Sequence, residues 1–240
     1  MDKAKKICDG IWLLGRYSPY EVGVWIFEHN GEAAILEAPP YTVGQPFPWE
    51  EAKCFCKDRK LSVKYHIFSH THIDHMNGYP YFKRAFPKTN SIVHVSFLEW
   101  YRATYFNEVF TEKEKALSIG GEPLFLLHAP KHSPEDLLIF FRGAVCTGDW
   151  ALGSVDDCNP LVSPEIKVET MKEVKEFLIR RQYHINMAFS AHGNEFRHNL
   201  DFVALLDEME EFFSKIPVHK WKSDSKKWFR SLLERQMEID

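Results

Sequence analysis

The chain has 240 residues, of which 45% are hydrophobic, 15% aromatic and 27% charged. This composition excludes disordered, collagen-like and low-complexity proteins, and a chain of this length can bury a substantial core without disulfide or metal staples. The formal net charge of -4 argues against a general nucleic-acid binder, which needs a surplus of basic residues on its binding face.

Hydrophobic patterning predicts strands and helices that alternate along the chain. Strands are predicted at residues 11–14, 22–27, 33–36, 64–68, 91–95, 123–127, 137–141, 144–147 and 185–190. Helices are predicted at residues 49–60, 79–86, 97–110, 163–183, 199–216 and 217–240, the last being an amphipathic C-terminal helix. Ser163 followed by Pro164 is typical of a helix start. The order indicates a layered α/β architecture, which we assign to a single domain of residues 1–240.

The chain shows no targeting or membrane segment. Its first residues are charged, and no apolar run approaches the roughly 20 residues that a membrane span needs. The five cysteines are scattered and odd in number, so we interpret them as free thiols in a reducing compartment. These features predict a cytoplasmic protein without a membrane partner.

Residues 70–75 read His-Thr-His-Ile-Asp-His, which places four potential metal ligands within six positions. An extended backbone would project His70, His72 and Asp74 to one side, and a turn after Asp74 would bring His75 toward the same cavity. Imidazole and carboxylate ligands without thiolates suit zinc, iron or manganese and argue against a structural zinc site. The segment follows a buried strand, and ligands concentrate at such strand ends in α/β folds.

The pattern His-x-His-x-Asp-His resembles the signature of the metallo-β-lactamase superfamily, and three further motifs of that family follow in order. They are residues 129–134 (APKHSP), 146–149 (CTGD) and 190–193 (SAHG), each after a predicted strand. The resemblance extends from the first strands to about His192. It implies an αββα four-layer sandwich with the metals at one edge of the two sheets.

The resemblance also implies a ligand set for two divalent ions, with zinc expected and iron or manganese as alternatives. The set is divided into His70, His72 and His132 for the first ion, Asp74, His75 and His192 for the second, and Asp149 as the bridge. Two ions about 3.5–4 Å apart lower the pKa of a shared water and polarise the substrate bond. Asp74 would orient the resulting hydroxide and accept its proton.

Four further residues are candidates for supporting roles. Glu37 stands at a strand end where the family usually has an aspartate, and the resemblance gives it the role of orienting the ligand loop. His128 is expected to have a structural role beside the ligands. Lys131 either attracts an anionic substrate group or is a solvated turn lysine. Trp150 directly follows Asp149 and is a candidate for packing in the substrate pocket.

Two aromatic segments have two interpretations each, and one histidine near the ligand loop is interpreted as structural. The aromatic helix predicted at 97–110 either lines the substrate pocket or packs in the core. The loop at 39–48, which contains Tyr41 and Phe47, is either a flap over the metals or a static surface loop. We interpret His66, inside the strand before the ligand loop, as a core histidine.

We therefore predict a metal-dependent hydrolase that uses a hydroxide bound by two metals to cleave an ester, thioester, lactone, lactam or phosphodiester. A small-molecule substrate is expected, a nucleic-acid partner is disfavoured by the charge, and the C-terminal helix offers a surface for a homo-oligomer. One alternative is a mononuclear-iron oxidoreductase of the persulfide dioxygenase type. Another is a non-enzymatic scaffold that retains the fold. The complete ligand set argues against both alternatives.

Overall fold

The structure is a computed structural model that describes residues 4–152, 161–217 and 221. Within these residues, one sheet has seven strands in chain order: Lys5–Cys8 (β1), Ile11–Tyr17 (β2), Val22–His29 (β3), Glu32–Leu36 (β4), Ser62–Ile67 (β5), Asn90–His94 (β6) and Glu108–Phe110 (β7). The second described sheet has six: Glu114–Ile119 (β8), Glu122–His128 (β9), Leu137–Phe141 (β10), Ala144–Cys146 (β11), Met187–Phe189 (β12) and Phe196–His198 (β13).

Helices cover the outer face of each sheet. The described α-helices are Pro48–Asp58 (α1), Ile73–Met76 (α2), Tyr79–Ala85 (α3), Pro164–Arg181 (α4) and Phe202–Ser214 (α5). Helices α1 and α3 pack together beside β2 and β3, and α4 and α5 pack on the second sheet. This order of layers confirms the predicted αββα sandwich. The predicted start of α4 is also confirmed, because the Ser163 hydroxyl accepts a hydrogen bond from the Ile166 amide.

The side chains of β3 alternate between the two faces of the first sheet and are buried on both. Trp25 meets Phe189 of the second sheet at a ring-centroid distance of 4.3 Å, and Phe27 meets Phe141 at 5.7 Å. The intervening Ile26 is also fully buried. A strand that is buried on both faces explains the nearly continuous apolar sequence of β3.

The candidate ligands lie at the edge of the sandwich where strands β4, β5, β9, β11 and β12 end. In the first sheet β4 and β5 are parallel, and in the second sheet β11 and β12 are parallel. Strand β9 runs in the direction of β11 because both pair antiparallel with β10. The loops that follow β5, β9, β11 and β12 carry the ligand motifs, and Glu37 follows β4, as expected for sites in α/β folds.

The helix predicted at 97–110 is wrong. The segment instead forms two short 3-10 turns, Val95–Glu99 and Ala103–Tyr105, and then the edge strand β7. Aromatic side chains lose rotamer freedom on a helix, so their helical preference is weak and tertiary packing decides their conformation. Here Phe97, Phe106 and Phe110 are buried while Trp100 is exposed, an arrangement with no helical period.

Four of the described strands were missed, and all four lie at sheet edges: β1, β7, β8 and β13. Edge strands carry charged residues that prevent further pairing, and this removes the apolar alternation that sequence analysis uses. Lys5 and Lys6 in β1, and Glu114 and Lys115 in β8, show this feature. The strands that were predicted are the interior ones.

Some predictions concern residues outside the described ranges. Of the predicted C-terminal helix at 217–240, residues 218–220 and 222–240 lie outside them, and so does Cys158. The other four cysteines are free, as predicted. In the part of the chain that the structure describes, no helix combines the length and apolar character needed to cross a bilayer.

Two buried histidines predict that the protein loses stability in mild acid. Burial lowers the pKa of His66 to about 4, and burial together with the stacked His94 ring lowers the pKa of His128 to about 4. The unfolded chain takes up protons near pH 6.5 while the folded chain does not, so the free energy of unfolding should fall between pH 6.5 and pH 4. Urea unfolding at pH 7 and pH 5 measures this loss.

The His128→Phe variant is the control for this pH dependence. It retains a ring against His94 and cannot be protonated, so the difference in unfolding free energy between pH 7 and pH 5 should shrink. An unchanged difference would contradict the assignment to His128.

Candidate metal centre

The loops after β5, β9, β11 and β12 bring all seven predicted ligand side chains to one place. They form two groups, His70, His72, His132 and Asp149 in the first group, and Asp74, His75 and His192 in the second group. Within each group the potential ligand atoms all lie within 4.8 Å of one another. Side chains up to 122 residues apart in the chain (His70 and His192) therefore meet at one edge of the sandwich.

The first group is built around the Oδ2 atom of Asp149. This oxygen lies 3.7 Å from Nε2 of His70 and 3.7 Å from Nε2 of His132. Nε2 of His132 lies 3.3 Å from Nδ1 of His72. Three imidazole nitrogens and one carboxylate oxygen make a donor set that suits zinc.

The other oxygen of Asp149 faces the second group. Its Oδ1 atom lies 3.4 Å from Nε2 of His75 and 3.3 Å from Nε2 of His192. Oδ2 of Asp74 lies 3.5 Å from Nε2 of His75 and 3.9 Å from Nε2 of His192. The carboxylate of Asp149 thus lies between the two groups, and Nε2 of His192 is close to both of its oxygens, 3.3 Å from Oδ1 and 3.4 Å from Oδ2.

The expectation of an extended backbone through Asp74 is wrong. The chain is irregular at residues 70–72, and Asp74 lies in the first turn of α2. Asp74 consequently belongs to the second group, with His75, rather than beside His70 and His72. The predicted turn after Asp74 is replaced by helix α2, which begins at Ile73 and brings His75 toward the cavity.

Gly148 allows the Asp149 loop to approach the His70 loop closely. Its φ is +59°, in the left-handed region that glycine adopts without strain, and a Cβ there would lie 3.1 Å from the Ser69 Cβ. The Gly148 carbonyl accepts a hydrogen bond from the Ala191 amide at 2.8 Å. Ala191 therefore joins the Asp149 and His192 loops.

Two of the histidines have their other ring nitrogen held by a hydrogen bond, and the other ring nitrogen of a third lies near a carboxylate. Nδ1 of His70 is 2.9 Å from the Ser69 hydroxyl, and Nδ1 of His192 is 2.7 Å from the Tyr20 carbonyl oxygen. Nδ1 of His75 is 3.4 Å from Oε2 of Glu37. Such partners set the tautomer and the ring orientation of metal-binding histidines.

Glu37 is buried in the position where its carboxylate can orient the ligand loop. Its Oε1 atom accepts a hydrogen bond from the Ser69 amide at 3.1 Å, and its carbonyl oxygen is 3.0 Å from Nε2 of His66. Its φ of +70° is costly for a residue with a Cβ, so the surrounding bonds must hold it there. The same bond makes His66 a buried, hydrogen-bonded core histidine, as predicted.

The charges of the site favour neutral rings in the first group. Burial, together with neighbouring imidazoles, holds the pKa of His70 and of His72 below the usual range. Burial also opposes the charge on His75, yet the carboxylates of Asp149 and Glu37 raise its pKa well above 6.5. Burial disfavours ionised Asp149, but His75 and His70 outweigh it and hold the pKa of that carboxyl well below its usual range.

The residues fit a divalent metal because buried polar atoms point into the cage without partners. Among the described residues, such unpaired atoms include Nε2 of His70, Nε2 of His75 and Oδ1 of Asp149. Leaving buried polar atoms unpaired is costly, and each such atom in a native structure needs an explanation. A cation between these atoms satisfies them.

The cage is closed on one side and open on the other. The side chains of His70 and His75 are completely buried, whereas those of Asp74, His132 and His192 are 16%, 19% and 22% exposed. The last three therefore mark the side from which a small molecule can reach the centre.

Lys131 is neither a solvated turn lysine nor exposed toward a substrate. It is completely buried rather than solvated, and its Nζ lies 5.5 Å from the Trp150 ring and 5.9 Å from the Phe213 ring. Its side chain thus packs with α5 beneath the second sheet instead of meeting substrate. The turn requires no left-handed residue at Lys131, so a lysine is accommodated there without strain.

Trp150 packs in the protein core. It is 1% exposed within the core between the second sheet and α4 and α5, and its indole N–H donates to Asp136 at 3.0 Å. His128 has a structural contact, because its ring stacks on His94 at 3.9 Å and its Nε2 is 2.8 Å from the Pro134 carbonyl oxygen.

The aromatic segment around Trp100 touches two ligand loops even though it is not a helix. The Tyr101 hydroxyl donates to the Thr71 carbonyl at 3.4 Å, and the Trp100 indole N–H donates to Glu135. The loop after β4 has Tyr41 and Phe47 in ring contact at 4.6 Å, and it leads into α1, where Trp49 stacks on Tyr81.

Sequence analysis missed Ser69, Tyr20 and Asp136. Tyr20 acts through its backbone carbonyl, and no sequence signal marks such a contact. Ser69 directly precedes His70, and Asp136 stands three residues after Ser133, a spacing typical of a side chain that caps a turn. That spacing was the available signal for Asp136.

No protein-family model matches the chain, and no curated protein matches it. Solved structures do match. The metallo-β-lactamase DIM-1 has a TM-score of 0.67 and 13% identity over 88% of this chain and 96% of its own. The chain has the metallo-β-lactamase fold.

Two further metallo-β-lactamase-fold structures illustrate the range of the likeness. The metallo-β-lactamase from Pontibacter korlensis has a TM-score of 0.64 and 14% identity over 89% of this chain and 99% of its own. The flavodiiron protein from Giardia intestinalis has a TM-score of 0.61 and 16% identity over 90% of this chain and 60% of its own. At these identities the likeness establishes the metallo-β-lactamase fold, and the activities in these names belong to those proteins.

Proposed function

We propose that this chain is a metal-dependent hydrolase that binds two divalent ions, with zinc as the expected metal. His70, His72 and His132 would hold the first ion, Asp74, His75 and His192 would hold the second, and Asp149 would be shared by both. The observation that carries the proposal is the position of the Asp149 carboxylate, which lies within 3.7 Å of histidine ring nitrogens of both groups. When bound, such a pair of ions lowers the pKa of water and polarises the bond to be cleaved.

The remaining steps fall to side chains of the chain itself. Asp74 is partly exposed on the open side of the cage, so its carboxylate can orient the attacking water and receive its proton. The proton then passes to the leaving group as the bond to the carbonyl or phosphoryl centre breaks. Glu37, Ser69 and the Tyr20 carbonyl keep the histidine rings in the orientation that this geometry requires.

The expected substrate is a small molecule with an ester, thioester, lactone, lactam or phosphodiester bond. Asp74, His132 and His192 border the open side of the cage, and the net charge of -4 favours a small substrate over a nucleic acid. Both donor groups are complete, which favours two ions over a single iron centre. The cytoplasmic location and the homo-oligomer remain predictions from sequence.

Metal removal tests the proposal. We expect a chelator to abolish hydrolysis of at least one of four substrates, a chromogenic lactam, a thioester, a lactone and a bis-aryl phosphodiester, and added Zn²⁺ or Mn²⁺ to restore it. Elemental analysis of the purified chain should find two zinc or manganese ions. One iron per chain would favour the dioxygenase, and no bound metal at micromolar concentration would favour the scaffold.

A further inference from the structure

Asp136 is a buried carboxylate that holds the turn carrying His132. It is 3% exposed, and its Oδ2 atom accepts hydrogen bonds from three consecutive amides, those of Lys131, His132 and Ser133, at 3.1, 2.6 and 3.0 Å. Its Oδ1 atom accepts from the Ser133 hydroxyl at 2.7 Å. Bonds to an ionised carboxylate are about twice as strong as neutral ones, so the turn has one favoured shape.

The same oxygen also contacts the Asp149 loop. The Trp150 indole N–H donates to Oδ2 of Asp136 at 3.0 Å, and Trp150 is the residue after Asp149. Asp136 thus joins the two loops whose side chains meet in the first group, where Oδ2 of Asp149 is 3.7 Å from Nε2 of His132. The rings of His75 and His192, in the second group, are held by other partners, Glu37 and Tyr20.

We infer that Asp136 is a positioning residue, which through its links to the His132 and Trp150 loops sets the affinity of the first donor group for its ion. This inference rests on the proposed metal site. Among the described residues, Asp136 accepts hydrogen bonds from backbone amides, the Ser133 hydroxyl and the Trp150 indole rather than from a ligand side chain, so its effect passes through the His132 amide and through Trp150.

The test is a titration of metal-free protein with Co²⁺, whose absorption spectrum reports coordination, combined with chelator competition for Zn²⁺. The His132→Ala and His192→Ala variants identify which ion belongs to which group. We expect Asp136→Ala to weaken the first ion by about 10–100-fold and to change its Co²⁺ spectrum, with the second ion unaffected. Asp136→Asn, which retains one acceptor oxygen, should lose less.

Asp201→Ala is the matched control. Asp201 also accepts a backbone N–H, that of Ala204 at 3.0 Å, but it caps α5 and belongs to neither donor group. The Asp201→Ala variant should have a lower melting temperature and wild-type affinity for both ions. A purely structural role for Asp136 would give the same pattern in Asp136→Ala and would overturn the inference.

Trp150→Phe gives a second, independent readout if Asp136→Ala does not fold. It retains a buried ring and removes only the N–H that reaches Asp136, so it should weaken the first ion selectively. The loss of affinity for the first ion in Trp150→Phe should also be non-additive with the loss in Asp136→Asn, because both variants act through the same hydrogen bond. Wild-type affinity in Trp150→Phe and Asp136→Asn overturns the inference, whereas a wild-type chain that binds no divalent ion overturns the proposed function.

Discussion

Replacing Asp149 by alanine is expected to abolish most of the activity and to reduce the bound metal below two ions per chain. The variant removes both oxygens that lie between the donor groups and leaves His75 with one fewer carboxylate neighbour. Loss of a supporting residue alone costs about 10–100-fold, so loss of the bridge should cost at least about 100-fold. Elemental analysis and steady-state kinetics measure the two effects.

Asp149→Asn serves as the companion variant for this prediction. It preserves the shape of the side chain and removes its charge, so metal content should lie between those of Asp149→Ala and the wild type. Circular dichroism of each variant checks that the fold is retained. Unchanged metal content in a folded Asp149→Ala protein would refute the bridging role.

Replacing Trp25 by alanine is expected to cause a large loss of stability. Trp25 is completely buried between the two sheets, where its ring lies 4.3 Å from that of Phe189. Its indole N–H also donates to the Ala191 carbonyl at 2.9 Å, next to His192. Truncating a buried tryptophan costs about 3–5 kcal/mol, a large share of the roughly 5–15 kcal/mol that stabilises a typical domain.

Urea unfolding of Trp25→Ala and of two companion variants measures this loss. Trp25→Phe keeps most of the ring but leaves the buried Ala191 carbonyl with one partner fewer, so it should lose about 1–3 kcal/mol. Trp100→Ala removes a tryptophan that is 67% exposed, so it should lose less than Trp25→Ala even though Glu135 loses the indole N–H that donates to it. Equal losses at Trp25 and Trp100 would contradict the placement of Trp25 between the sheets.

The interior strands and the candidate ligands could be predicted because their signals are local. Strand β10, for example, is five consecutive apolar residues that are all buried, and a run of this type indicates an interior strand without knowledge of its partners. The ligand motifs follow such strands directly. His70, His132, Asp149 and His192 could therefore be placed at strand ends before their convergence was known.

Other features depended on contacts between distant parts of the chain. Edge strand β8 carries charges and is a strand because it pairs with β9, and the aromatic segment after β6 adopts the shape that its buried rings require. Lys131 and Trp150 are adjacent to ligands in sequence, yet both are buried because α4 and α5 cover that side of the second sheet. Adjacency in sequence does not determine which face of a loop is covered.

The sequence by itself determined which side chains can bind metal and, through the order of the motifs, the αββα fold that brings them together. Only the tertiary structure decided that the first turn of α2 is the backbone that separates Asp74 and His75 from His70 and His72, and which residues hold the rings and turns in place. The reason is physical: ligand chemistry and strand burial are properties of short segments. The bonds of Glu37, Asp136 and the Tyr20 carbonyl instead join segments that meet only after folding.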